Sequence, residues 1–169
     1  SPTTPRHPLT LSIRLINRLL TWGGPSLRPG HPHCRPANTR PYHAGVFELT
    51  IESEFCAAHA IILRGEREPV HGHNWHVTVT LAGPALDQDG LLCDFHAAEL
   101  ALEAVIGPWK NADINTKPPF ATLNPSAENI AKTIAEQMRD RLRSVLPADA
   151  RVAAVRVTEA PGCAATYRP

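Results

Sequence analysis

Phe47-Glu48-Leu49-Thr50-Ile51-Glu52-Ser53-Glu54-Phe55 decides the architecture, because Phe47, Leu49, Ile51 and Phe55 alternate with Glu48, Thr50, Glu52 and Glu54. A period of two is what a strand with one buried face requires. The same period returns from about His71 to Leu81. There Trp75, Val77, Val79 and Leu81 share a face with His71 and His73, and Gly83-Pro84 closes the strand. Val152 to Glu159 and Ala164 to Arg168 read as two further strands. Between the strand pairs the spacing becomes helical. Asp94 is the expected cap of a helix whose inner stripe is Phe95, Ala98, Leu102, Val105 and Ile106, ended by Gly107-Pro108. Asn124-Pro125 offers a cap and a first-turn proline for a second helix. Its stripe is Ala127, Ile130, Ala131, Ile134, Met138, Leu142 and Val145, reaching to Pro147. The order ββααββ predicts an α+β domain: a four-stranded antiparallel sheet with two helices on one face. The opposite sheet face is expected to need a cover as well, which favours an oligomer.

With 169 residues, 43% apolar and 20% charged, the chain has the make-up of one globular domain with a real core, not of a disordered chain. No run of about 18 apolar residues is present, so a membrane-spanning helix is not expected. The formal charge of +1 conceals two regions. Residues 1–45 hold six Arg, no Lys and no acid, for +6, whereas residues 46–169 hold 11 basic and 16 acidic groups, for −5. An acidic domain repels phosphate, which argues against a nucleic-acid partner. Eight of the 17 prolines fall in the first 45 residues, so we read 1–45 as an extension outside the folded domain and 46–169 as a single domain. Leu9 to Trp22 is amphipathic and basic, the composition of an organellar presequence. Cys34, Cys56, Cys93 and Cys163 form no C-x-x-C pair, and nothing resembles a secretory signal. A cytoplasmic location is the first expectation, with organellar import as the second.

His71 and His73, two apart on a strand, project from one face, and His59 just after the first strand supplies a third nitrogen if the two strands form a hairpin. Three neutral imidazoles with an open position describe a catalytic zinc site rather than a closed structural one. Iron and nickel suit the same donors. Gly72 between two of them leaves room for a ligand or another backbone.

In order, F-C-A-A-H at 55–59, H-G-H-N-W at 71–75, G-L-L-C-D-F at 90–95, N-P-S-A-E-N-I-A at 124–131 and V-T-E-A at 157–160 resemble the 6-pyruvoyltetrahydropterin synthase and 6-carboxytetrahydropterin synthase family over roughly residues 46–168. The resemblance implies the tunnelling fold, assembled through intersubunit β-barrels into a homo-hexamer with sites at subunit interfaces. It implies Zn2+ on His59, His71 and His73, a dihydropterin substrate, and a ring anchored by Glu159. That last role is chemically sensible, since a carboxylate can accept both adjacent N–H donors of a pterin edge. The activity implied is a lyase acting on the side chain of 7,8-dihydroneopterin triphosphate or a close dihydropterin.

The chain departs from the family in its proton-transfer set. The usual cysteine, four residues before the H-G-H motif, is Arg67 here, and Trp109-Lys110-Asn111 stands where an L-D-H stretch is expected. Glu68 gives instead E-x-x-H-G-H, which resembles a subgroup in which glutamate replaces cysteine and the product shifts to 6-hydroxymethyl-7,8-dihydropterin. We therefore take Glu68 as the candidate base. Lys110, Asp113 and His76 have no spacing support for a relay. Cys56 and Cys93 sit beside apolar residues and read as small buried cysteines. A zinc- and pterin-binding protein without catalysis is the alternative from another class.

Overall fold

The computed structural model describes residues 45–169. The expectations for the basic extension and for Cys34 fall outside the described residues, apart from Gly45. Strand β1 (Phe47–His59) pairs antiparallel with β4 (His71–Gly83), and between them lies a small hairpin of β2 (Ile62–Leu63) and β3 (Glu66–Arg67). Helices α1 (Phe95–Ile106) and α2 (Ala127–Leu142) follow, with one-turn 3-10 segments at Gly107–Trp109 and Ile114–Thr116. Strands β5 (Arg151–Ala160) and β6 (Cys163–Tyr167) complete an antiparallel sheet of order β1-β4-β5-β6. The α+β class, the four-stranded sheet and the two helices are thus as the alternation predicted.

The odd-numbered residues of β1 and β4 explain the core. Leu49, Ile51, Phe55, Trp75, Val77, Val79 and Leu81 are buried with Val152, Val155 and Val157 of β5. From the helices, Leu102, Val105, Ile106, Ile130, Ile134, Met138 and Leu142 meet them. Gly83 is where this packing is tightest: a Cβ there would lie 2.7 Å from Leu92 Cδ1 and 2.9 Å from Ala150 Cβ. Among the described residues no helix is long and apolar enough to cross a membrane.

Several expectations change. Phe95, assigned to the inner stripe of α1, is exposed, because as the first residue after the Asp94 cap it precedes the turn that contacts the sheet. The cap of α2 is Ser126, whose hydroxyl accepts from Asn129 N–H, so Pro125 lies outside the helix and Asn124 is free for another task. Val145 is exposed beyond the helix end at Leu142. The other sheet face carries Glu48, Thr50, Glu52 and Glu54 beside Asn74, His76, Thr78, Thr80 and Arg156. That face is polar and tolerates water, so it supplies no apolar reason for a cover.

Candidate metal centre and its cleft

His59 is the last residue of β1 rather than one just past it, and its cross-strand partner is His71. Both face the helix side, as does His73 two residues along β4. The three ring centroids form a triangle with sides of 4.7, 4.9 and 5.2 Å. Trp75 backs it, its ring edge-on to His59 at 4.8 Å and its indole N–H donating to Ala57 O at 3.2 Å. The predicted convergence of the three imidazoles is present.

Glu159 reaches the same point. It sits at a register irregularity of β5, between the pairs Thr158 with Ala164 and Ala160 with Cys163, and such bulges re-aim a side chain. One carboxylate oxygen lies 2.9 Å from His59 Nε2 and 3.0 Å from His73 Nε2. Four donor atoms, one from each of these residues, lie within 4.8 Å of one another.

The chemistry of this donor set fits a cation. His59 Nδ1 lies 2.9 Å from Pro125 O and His71 Nδ1 lies 2.8 Å from Pro69 O. A carbonyl only accepts, so each Nδ1 carries the hydrogen and each Nε2 is left with a lone pair. Metal-ligating histidines are oriented in this way by a second partner. The carboxylate oxygen is close to His59 Nε2 and His73 Nε2, yet the directions do not make hydrogen bonds. Both buried nitrogens are left without a partner. Two unpartnered imidazole nitrogens and a carboxylate oxygen facing one spot are a donor set that a cation would complete. Burial holds His73 below the ordinary histidine pKa, with His59 and His71 acting the same way and Glu159 opposing them. A neutral, unprotonated imidazole is the form that ligates a metal.

Beside the cluster opens a cleft of about 770 Å³, lined by Cys56, Gly72, His73, Asn74, Glu159 and Pro161 among others. That volume is in the range of small-molecule sites. Cys56 is exposed on this cleft, contrary to its expected burial, because even-numbered residues of β1 face away from the helices. Cys93 is buried as expected, and that burial, then Asp94, raises its thiol pKa, so it is a poor nucleophile.

Glu68 follows β3 and is half-buried, with its N–H donating to Ile61 O at 3.0 Å. Its neighbourhood is the β2–β3 hairpin. Arg64 and Gly65 form the tip with φ of 54° and 89°, the positive values a two-residue hairpin turn uses. The four-residue donor cluster does not include Glu68. Lys110 is tied to Glu103 at 2.5 Å, whereas His76, 3.5 Å from Glu54, lines the same cleft as Cys56 and Glu159 from the sheet face that points away from the helices. Asp113 caps the 3-10 turn at Ile114–Thr116 and bridges Ala58. Sequence reasoning missed four groups near the site: the Pro69 and Pro125 carbonyls, and the side chains of Asn115 and Asn124. The N-P-S segment was visible as a helix start and as part of the family resemblance, with no contact to the site assigned to it.

A sequence model of the 6-pyruvoyl tetrahydropterin synthase family matches residues 48–169. The 6-carboxy-5,6,7,8-tetrahydropterin synthase of Bacillus subtilis (strain 168) is 31% identical over 133 residues, covering 75% of this chain and 88% of that protein. Among solved structures, the Caenorhabditis elegans 6-pyruvoyl tetrahydropterin synthase superposes with a TM-score of 0.63 at 20% identity, covering 74% of this chain and 96% of its own. A Plasmodium vivax 6-pyruvoyltetrahydropterin synthase, in a form with a catalytic glutamate changed to alanine, gives 0.59 at 21% identity, covering 74% and 98%.

Proposed function

This chain belongs to the 6-pyruvoyl tetrahydropterin synthase family, and from that premise we propose that it is a metal-dependent lyase acting on the side chain of a dihydropterin such as 7,8-dihydroneopterin triphosphate. The observation that carries the proposal is the convergence of His59, His71, His73 and Glu159 on one point at the wall of a cleft. His59, His71 and His73 would hold a Zn2+ ion, which when bound would supply Lewis-acid polarisation of the substrate's side-chain oxygens.

The chain's own residues do the rest. Pro125 and Pro69 carbonyls fix the His59 and His71 rings and keep their Nε2 atoms unprotonated. Glu159, which lines the cleft, is the group that would accept the paired N–H donors of the pterin edge. Glu68 takes the proton from the side-chain carbon that becomes acidic. Trp75 walls the imidazoles from the core.

A second reading concerns the product. The E-x-x-H-G-H pattern, together with a Plasmodium vivax relative of the same fold described by a catalytic glutamate, supports a route through Glu68 to 6-hydroxymethyl-7,8-dihydropterin rather than to a pyruvoyl or carboxy product. For the assembly, β1 and β6 stand at the two edges of the sheet, where strands of neighbouring copies can add, and this supports a homo-oligomer, with a hexamer as its proposed form.

Anaerobic incubation of the zinc-loaded protein with 7,8-dihydroneopterin triphosphate, followed by mass spectrometry, tests the proposal. Turnover by the wild type and its fall to a small but measurable residual rate in Glu68→Ala are expected. Pterin binding without any conversion would replace the lyase with a binding protein. Full turnover in Glu68→Ala would remove the assigned base.

A further inference from the structure

The chain between His59 and Glu68 is gripped by two asparagine side chains that the proposed chemistry does not use. Ala60 N–H donates to Asn115 Oδ1 at 2.7 Å, and Asn115 Nδ2 donates to Ala60 O at 2.8 Å. Two residues on, Ile62 N–H donates to Asn124 Oδ1 at 2.8 Å, and Asn124 Nδ2 donates to Ile62 O at 3.1 Å. Each side-chain amide thus presents the donor and acceptor that a neighbouring strand would. In extended chain, backbone groups of successive residues point to alternate sides. Ala60 and Ile62 turn to the asparagines, and Ile61 turns the other way, where its carbonyl accepts the Glu68 N–H at 3.0 Å. Segment 60–62 is therefore bracketed, and Glu68 hangs on its free side.

Both clamps are themselves fixed. Asn115 sits in the 3-10 turn capped by Asp113, which accepts its N–H at 3.0 Å. Asn124 precedes the Ser126 cap, and its carbonyl accepts from Asn129 Nδ2 and Ser126 N–H, each at 2.9 Å. His59 has a separate anchor: it lies within β1 and its Nδ1 is 2.9 Å from Pro125 O.

We propose that Asn115 and Asn124 are positioning residues for Glu68: their paired amide contacts set the height of segment 60–62 and through it the place of the carboxylate relative to the metal centre. This rests on the assignment of Glu68 as the base. A lyase step is sensitive to misplacement of its base by about 1 Å, at a cost of roughly 100-fold. Loss of one two-bond clamp is expected to lower kcat about 10- to 100-fold, with little change in KM.

The test uses the zinc-loaded full chain and the variants Asn115→Ala, Asn124→Ala and the size-conserving Asn124→Asp, each with and without Glu68→Ala. Three readouts are taken: kcat and KM, bound zinc per chain, and hydrogen exchange of the Glu68 amide. Expected are a fall in kcat that vanishes in the Glu68→Ala background, unchanged zinc content, and Glu68 amide exchange faster by about tenfold or more. An equal fold-loss in both backgrounds, or zinc lost in step with turnover, overturns the proposal, because the clamps then act through the fold or His59. Unchanged exchange at Glu68 overturns it too. If Glu68→Ala alone keeps full turnover, the base assignment fails by itself, and the exchange result still decides whether the asparagines set the Glu68 backbone.

Discussion

Changing Glu159 to Gln separates two tasks that its position invites. The carboxylate stands 2.9 and 3.0 Å from two imidazole Nε2 atoms and also lines the cleft, so it is placed either to complete a metal shell or to hold a ring. The amide keeps the shape and removes the charge. On our account the three histidines retain the metal, and the loss falls on the pterin edge. Two charge-assisted hydrogen bonds at a side chain 26% exposed belong at the lower end of their range, about 1.5 kcal/mol each. Together they amount to about 3 kcal/mol, or roughly 100-fold in affinity. Glu159 is also the one charge that raises the His73 pKa. Without it His73 is harder still to protonate, so acid competes less with the metal. Calorimetric titration of metal-loaded protein with 7,8-dihydroneopterin, beside metal analysis of the same samples, measures both effects. Zinc content halved or worse with pterin affinity unchanged would refute the reasoning and make Glu159 a metal ligand.

Three further outcomes are expected. Gly83→Ala forces its new methyl into Leu92 and the Ala150 backbone, 3.1 Å away at Cα, and should cost about 1–3 kcal/mol, read as a lower denaturant midpoint. Trp75→Phe keeps a ring against Phe55 but forfeits the bond to Ala57 O, for about 1 kcal/mol by the same measure, and loosens the histidine triangle it backs. The pH dependence follows from His73. Its folded pKa lies below the unfolded value of about 6.5, so between the two the unfolded chain binds the extra proton and stability rises with pH. Chelator-treated protein should therefore be most stable above about pH 6.5 and lose stability as the pH falls through the depressed folded value, and His73→Asn should flatten that slope.

The strands were legible because alternation is a local signal: Leu49, Ile51 and Val77, Val79 show their buried face without reference to the rest of the chain. The histidine triangle followed from the same arithmetic, since parity on β4 and hairpin pairing bring His59 opposite His71. What lay hidden depended on partners distant in sequence. Asn124 looks like a helix cap by its neighbours, yet Ser126 caps and Asn124 holds Ile62, 62 residues away. Glu159 was expected from the family resemblance to anchor a ring; its place beside His59 and His73 depends on the register irregularity of β5, which the sequence does not show. Cys56 was misjudged because apolar neighbours in sequence point to the opposite side of a strand. Phe95 failed for a related reason: a helical stripe does not say where the first turn leaves the sheet.

Metal analysis of the folded wild-type chain, with X-ray absorption at the zinc edge, tests the metal centre most directly. We predict one zinc per chain with three imidazole nitrogens at about 2.0 Å, lost on His59→Ala or His73→Ala. A folded protein that takes up no zinc under loading conditions, or that binds it equally well without those histidines, would contradict the account.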